Sequence, residues 1–135
     1  MLQVLIDLLL REAAAADTVA ARTRALELIA AAGERRFLGM ALDELETASE
    51  RLSGLELTRT LTLSTAGLPA DVTATELTAA VPDPEDRALL AGAVDELRQS
   101  TDRLRDARDR ATAAIGQQAS SSRVRLQAAE AFAAV

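Results

Sequence analysis

The sequence predicts an all-α protein, and three observations lead to this prediction. Alanine and leucine dominate the apolar residues, which make up 49% of the chain, while aromatic residues make up 1%. Small and unbranched side chains of this kind suit closely packed helices better than sheets. Apolar residues recur at alternating three- and four-residue steps over three long blocks. All three prolines fall within residues 67–86, so we expect an antiparallel helical hairpin, a short helix and a long last helix in a coiled-coil-like bundle.

The first two blocks predict the hairpin, with helices over residues 2–32 and 34–66 and a break at Gly33. The first apolar stripe consists of Leu2, Leu5, Leu9, Ala16, Val19, Leu26 and Ala30. The second consists of Leu38, Ala41, Leu45, Ala48, Leu52 and Leu55. Glu12 and Arg59 interrupt these stripes. The favoured interpretation is that each lies at the edge of its stripe and reaches solvent along its aliphatic stem; the alternatives are a buried ion pair or residues that recognise a partner.

The end of the second block carries a conflicting pattern. Residues 55–63 alternate between leucine and polar residues, mostly threonine, which is typical of a half-buried strand. A lone strand would need a partner for its backbone groups, and the chain offers no second strand candidate. We therefore favour a helix here and keep the strand as the alternative.

Residues 67–86 contain most of the turn and capping residues. Gly67 followed by Pro69 predicts the end of the second helix. The T-x-x-E spacing of Thr73 and Glu76 is that of a capping box and predicts a short helix over residues 74–81. Asp83 and the proline after it then predict the N-cap and first position of the last helix. We interpret the whole stretch as a spacer that sets how the last helix lies on the hairpin.

The last long helix is predicted over residues 84–118, which closes a helical-bundle domain of residues 1–118. Its apolar stripe consists of Leu90, Ala93, Leu97, Leu104, Ala107, Ala111 and Ala114, with Ile115 beside it. Gly116 and the serines at 120–122 weaken the pattern, so residues 119–135 are interpreted as a C-terminal tail. The tail is either a helical, partner-binding segment, or a frayed terminus, or simply the last turns of the last long helix.

Composition argues against several classes of function. The net charge is −6, and no basic stripe is available to neutralise phosphates, so we do not expect nucleic-acid binding. The chain has no His or Cys, and all fifteen basic residues are arginine, so the usual catalytic bases and nucleophiles are missing. We expect no catalytic residue, metal or cofactor. The apolar residues 1–10 are too short to span a bilayer and no basic segment precedes them, so we expect a cytoplasmic protein without membrane insertion.

The order of these features resembles the FlgN family of flagellar export chaperones, which serve hook–filament junction proteins. The matching positions of the first helix and its end are Leu5, Leu8, Leu9, Glu12, Gly33 and Glu34, like the family's L-L-x-x-E opening and its Gly-Asp. The later ones are Leu55, Glu56, Arg59, Leu63, Gly67, Leu68, Thr75 and Leu77, like its L-E-x-x-R run, its G-L and the short helix that follows. Asp106 and Asp109 depart from the N-x-x-N that the last helix usually carries.

The resemblance implies a cytosolic type III export chaperone that binds the amphipathic terminal helices of junction proteins and keeps them soluble, with the flagellar export gate as a further partner. It implies a contact surface on the last helix and the tail, for which we select Leu97, Leu104, Ala111, Ile115, Val124, Leu126 and Phe132. The alternative hypothesis is a structural coiled-coil scaffold that pairs with copies of itself. Sequence alone leaves the oligomeric state open, because three stripes can close on one another or leave one free for a partner or a second copy.

Overall fold

The computed structural model describes residues 1–69 and 71–134, without the side chains of residues 118–122. This part of the chain forms four helices and no strand. They are α1 (Leu2–Ala31), α2 (Arg35–Thr65), α3 (Ala74–Ala79) and α4 (Pro84–Ala133). The prediction of an all-α helical bundle is therefore confirmed for the described residues.

Two glycines end the hairpin helices in the same way. Gly33 and Gly67 have φ angles of 71° and 79°, the left-handed conformation that glycine adopts without a Cβ clash. At the end of α2, the Leu68 N–H donates to the Leu63 carbonyl at 2.9 Å and the Gly67 N–H donates to the Ser64 carbonyl at 2.9 Å. These two bonds form a Schellman motif, which satisfies carbonyls that a helix end otherwise leaves unpaired.

We expect Gly67→Ala to destabilise the protein by about 1 kcal/mol, because an L-residue must hold the left-handed conformation there. Gly54→Ala is the matched control and is expected to stabilise it by up to about 1 kcal/mol. Gly54 lies within α2, and a Cβ added to it would meet nothing within 4 Å. Urea titrations followed by circular dichroism measure both values. If both substitutions raised the stability, or both lowered it, the expectation would be contradicted.

Side-chain caps define the starts of α3 and α4. The Thr73 hydroxyl accepts from the Glu76 N–H at 3.1 Å, and the Glu76 carboxylate accepts from the Thr73 N–H at 3.3 Å, which is the predicted capping box. Asp83 accepts from the Asp86 N–H at 3.0 Å, and Pro84 takes the first helical position of α4. The predicted start of the last helix is observed.

Residues 55–63 are helical, although their alternation is typical of a strand. The hydroxyls of Thr58, Thr60 and Thr62 each donate to the carbonyl four residues earlier, at 2.8–3.1 Å, and so pair within the helix. Leu63 is buried, whereas Leu57 and Leu61 are exposed. The alternation therefore spreads leucines around α2 rather than placing them on one face of a sheet.

The helices pack around α1. Arg22 pairs with Glu44 and Glu12 pairs with Arg59, so α2 runs antiparallel to α1. Asp17 pairs with Arg103, and α4 runs parallel to α1. Within the described residues, α1 packs along both α2 and α4, whereas no Cα atom of α2 comes within 8 Å of one in α4. Helix α1 is therefore the central helix of the bundle.

Two apolar clusters hold the three long helices together. The lower cluster consists of Leu5, Ile6, Leu9, Leu63, Leu77, Leu90 and Ala93. The upper cluster consists of Ala15, Ala16, Val19, Ala20, Leu52, Leu104 and Ala107. Leu77 lies on α3, so the spacer closes the lower end of the bundle. The small residues of the upper cluster suit close approach between helices.

Helix α4 is longer than the predicted last helix and continues through the segment interpreted as a tail. It passes Gly116 and the serines at 120–122 and ends at Ala133. Among the described residues only Gly33 and Gly67 have positive φ, so Gly116 acts as an ordinary helical residue. Glycine and serine weaken a helix by at most about 1 kcal/mol each, which does not force an end. Val135, the last residue of the predicted tail, lies outside the described residues.

Candidate partner-binding site

The C-terminal part of α4 extends beyond the helical hairpin. Asp17 of α1 pairs with Arg103 of α4, and the two residues are 86 positions apart in the sequence. Because the helices are parallel, residues 86 positions apart lie level with each other. The same offset places residue 117 level with Ala31, the end of α1. Residues 118–133, here called the terminal extension, therefore project about 24 Å past the hairpin, at 1.5 Å per residue.

The terminal extension carries the most exposed large apolar side chains of the described residues in α4. Phe132 is 85% exposed, Val124 63% and Leu126 60%. Val124 and Phe132 lie eight residues apart, on one face with Ala128, whereas Leu126 points to another side. Isolated exposed apolar residues are ordinary, and Phe132 is one of the two phenylalanines of the chain. Its exposed ring is available for a contact.

The predicted site residues divide between the core and the surface. Leu104 and Ala111 are each 5% exposed, and Leu97 packs against the lower cluster. In this conformation these three hold α4 on α1, so they offer a partner little surface. Ile115 is 45% exposed at the end of the packed part of α4. Of the predicted set, Ile115 and the three residues of the terminal extension remain accessible.

A second apolar surface, the tip groove, lies between α1 and α2 beside the hairpin turn. Its volume is about 370 Å³. Leu28, Ile29, Phe37 and Met40 line it, and Leu28 and Met40 are 70% and 64% exposed. The acidic Glu34 and Glu44 and the basic Arg22 complete its lining. This surface was not predicted.

A signal for the tip groove was present in the sequence. Leu28, Phe37 and Met40 belong to neither of the two apolar stripes, although each lies within three residues of a stripe position. Large apolar side chains that a stripe does not use must lie elsewhere on the helix surface. The clustering of three of them around Gly33 was the available indication of an apolar surface at the hairpin turn.

Glu12 and Arg59 form an ion pair, and the favoured sequence interpretation of them was wrong for Glu12. Arg59 Nε lies 2.8 Å from one carboxylate oxygen of Glu12 and 3.1 Å from the other. The Glu12 side chain is 3% exposed and that of Arg59 is 32% exposed. Helix α1 is covered by α2 on one side and by α4 on the other, so the side chain of Glu12 is enclosed between helices. The pair lies between the lower and upper clusters. It is the ion pair that the sequence analysis gave as an alternative.

A further ion pair joins α1 and α4 and lies at the surface. Arg103 donates through Nε and Nη2 to the Asp17 carboxylate at 3.1 and 3.2 Å, and also to the Ser100 hydroxyl at 3.0 Å. The hydrogen bonds that Arg103 donates to Asp17 raise the pKa of its guanidinium above the usual value. Ser100 itself is fully buried and was missing from the predicted stripe. The pair shows which residues of α1 and α4 lie level with each other.

The described residues show neither a metal centre nor a membrane span. No group of three acidic, histidine or cysteine residues among them could hold a metal ion. None of the described helices combines the length and hydropathy that crossing a membrane requires.

Comparison with protein families, with characterised proteins and with solved structures finds no match for this chain.

Proposed function

We propose that this protein is a flagellar export chaperone of the FlgN type, which binds the amphipathic terminal helices of hook–filament junction proteins in the cytoplasm. The observation that carries the proposal is the terminal extension. The helix leaves the bundle with its large apolar side chains uncovered, and the face of Val124 and Phe132 offers a partner helix a surface to pack against. Leu126 is uncovered on another side.

The helical framework supports the same proposal. Glu12 belongs to the L-L-x-x-E motif and Arg59 to the L-E-x-x-R motif that resemble the FlgN family. These two residues bind each other across α1 and α2. Each motif supplies one half of a partly buried ion pair. Loss of either residue would leave the other without its partner.

The chemistry of the terminal extension suits reversible binding. Full burial of one large apolar side chain contributes about 1.5–3 kcal/mol. The face of the extension that one partner helix can cover exposes two such side chains, Val124 and Phe132, and Ala128 lies between them. Part of their contribution offsets the loss of translational and rotational freedom on binding. A chaperone that must release its cargo at the export apparatus needs affinity of this moderate kind.

We expect Phe132→Asp to weaken binding of a peptide from the terminal helix of a junction protein by at least about tenfold, which is about 1.4 kcal/mol. The physical reason is the loss of an aromatic contact and the burial of a charge without a partner. Isothermal titration calorimetry with the full chain measures the affinity. Leu61→Asp is the matched control, because Leu61 is 58% exposed on α2 and points away from α1.

Two results would contradict this function. If the peptide binds neither the unchanged protein nor the Leu61→Asp variant, the chaperone proposal fails. Equal loss of affinity in both variants would show that the contact does not involve the terminal extension. Circular dichroism of each variant confirms that the fold is retained, which is expected because both positions lie on the surface.

A further inference from the structure

The apolar face of the terminal extension has two different edges. Val124, Ala128 and Phe132 form the face, and all three are exposed. Arg125 lies about 60° around the helix from Ala128, on the side of Phe132. Gln127 lies about 100° from Ala128 on the opposite side, next to Val124. A helix that packs on this face therefore meets a positive charge along one edge and a neutral amide along the other.

The charge of Arg125 has no partner within the part of the chain that the structure describes. No acidic residue lies three or four positions from it, the spacing at which side chains of one helix pair. Among the described residues Arg125 takes part in no ion pair. In the packed part of α4, by contrast, Arg105 lies 3.7 Å from Asp102 and Arg103 binds Asp17. The Arg125 guanidinium is therefore available to a carboxylate from another molecule.

The local charge of the extension differs in sign from that of the chain. Residues 123–133 contain two arginines and one glutamate, whereas the net charge of the whole chain is −6. Glu130 lies about 160° around the helix from Ala128, so it is far from the apolar face. An acidic partner on this face consequently meets attraction from Arg125 and no nearby carboxylate.

We propose that the terminal extension selects amphipathic helices that carry acidic residues along one edge of their apolar stripe. This inference rests on the proposed function, because it specifies the charge of the helix that the extension binds. A carboxylate on that edge accepts hydrogen bonds from the Arg125 guanidinium, whose planar fork suits a carboxylate. A lysine or arginine in the same place meets a like charge and is disfavoured.

The small side chain at the centre of the face determines how the partner sits. Ala128 lies one helical turn from Val124 on one side and from Phe132 on the other, so it forms a depression between two larger side chains. A leucine of the partner fits this depression as a knob fits a hole. Because only one edge of the face is charged, a helix with acidic residues on one edge alone pairs them with Arg125 in a single direction.

Three designed helical peptides test the charge preference. They share one apolar stripe of leucine and alanine and differ only along one edge of it, which carries Glu, Gln or Lys. Isothermal titration calorimetry with the full chain measures their affinities. We expect the Glu peptide to bind up to about fivefold more tightly than the Gln peptide, which is the effect of one exposed ion pair. The Lys peptide should bind more weakly than the Gln peptide.

Two variants of the protein locate the charged contact. Arg125→Glu should reverse the order of the three affinities. Arg123→Glu is the matched control, because it makes the same change of charge two residues away, about 140° around the helix from Ala128. It should keep the order seen with the unchanged protein. Added sodium chloride should weaken binding of the Glu peptide more than that of the Gln peptide, because salt screens exposed charges.

The outcomes separate this inference from the function on which it rests. Equal affinities for the three peptides would overturn the charge preference and leave the chaperone function standing. A reversal by Arg123→Glu as well would overturn it too, because overall charge rather than the Arg125 edge would then decide. If none of the three binds although the junction-protein peptide does, the inference fails alone. If the junction-protein peptide also fails to bind, the proposed function fails with it.

Discussion

Replacing Arg59 by alanine is expected to destabilise the fold by about 3 kcal/mol, because the substitution leaves the Glu12 carboxylate buried without its partner. Glu12 is 2% exposed and lies between the two apolar clusters, so the loss of Arg59 removes both hydrogen bonds that its carboxylate accepts from that residue. This loss of stability is at the lower end of the range expected when a buried ion pair is broken, since about a third of the Arg59 side chain is exposed to water. Urea titration measures the change in the free energy of unfolding. The slope of that free energy against urea concentration should be the same for the variant and the unchanged protein.

Arg22→Ala is the matched control for this prediction. Arg22 pairs with Glu44 across the same two helices at 3.0 Å, but both side chains are about half exposed. Exposed pairs of this kind contribute at most about 1 kcal/mol. The double substitution Glu12→Met with Arg59→Leu should recover most of the lost stability, because apolar residues of similar size can replace a buried pair. An Arg59→Ala cost no larger than that of Arg22→Ala would contradict the argument.

Leu90→Ala is expected to have an effect of similar size, a loss of about 3 kcal/mol. Leu90 is 0% exposed and packs in the lower cluster, which joins α1, α2, α3 and α4. Its truncation removes apolar contacts and leaves a cavity that Leu5, Leu9 and Leu77 can fill only in part. Thermal unfolding followed by circular dichroism should show a lower midpoint for this variant.

The neighbouring residue supplies the control. Leu89 is 55% exposed on the same turn of α4, so Leu89→Ala should change the stability by less than about 0.5 kcal/mol. The two variants share helix propensity changes and differ in burial alone. A similar loss for both would mean that the variants weaken α4 itself rather than its packing on α1.

Much of the fold could be predicted from the sequence because its features are local. The capping box of Thr73 and Glu76, the N-cap at Asp83 and the helix stops at Gly33 and Gly67 depend on neighbouring residues alone. Helical spacing likewise assigned the core positions: Val19, Leu52, Leu90 and Leu104 are all buried as their stripes predict.

The predictions that were wrong or incomplete concern which surfaces meet. Glu12 was expected at the edge of its stripe, but α1 is covered by helices on two sides and no edge remains at that position. The selected partner residues included Leu104 and Ala111, which the bundle uses for its own core. A stripe pattern cannot separate a core position from a binding position, since both require apolar side chains at the same spacing.

The sequence by itself determined where the helices begin, where the hairpin turns, and which side chains can be buried. Those properties follow from backbone conformation and helical period, which act over a few residues. Only the tertiary structure decided that α1 is the central helix, that Glu12 is paired with Arg59, and that the terminal extension of α4 projects beyond the tip groove. These depend on the register between distant segments, such as the pairing of Asp17 with Arg103, and no local pattern encodes that register.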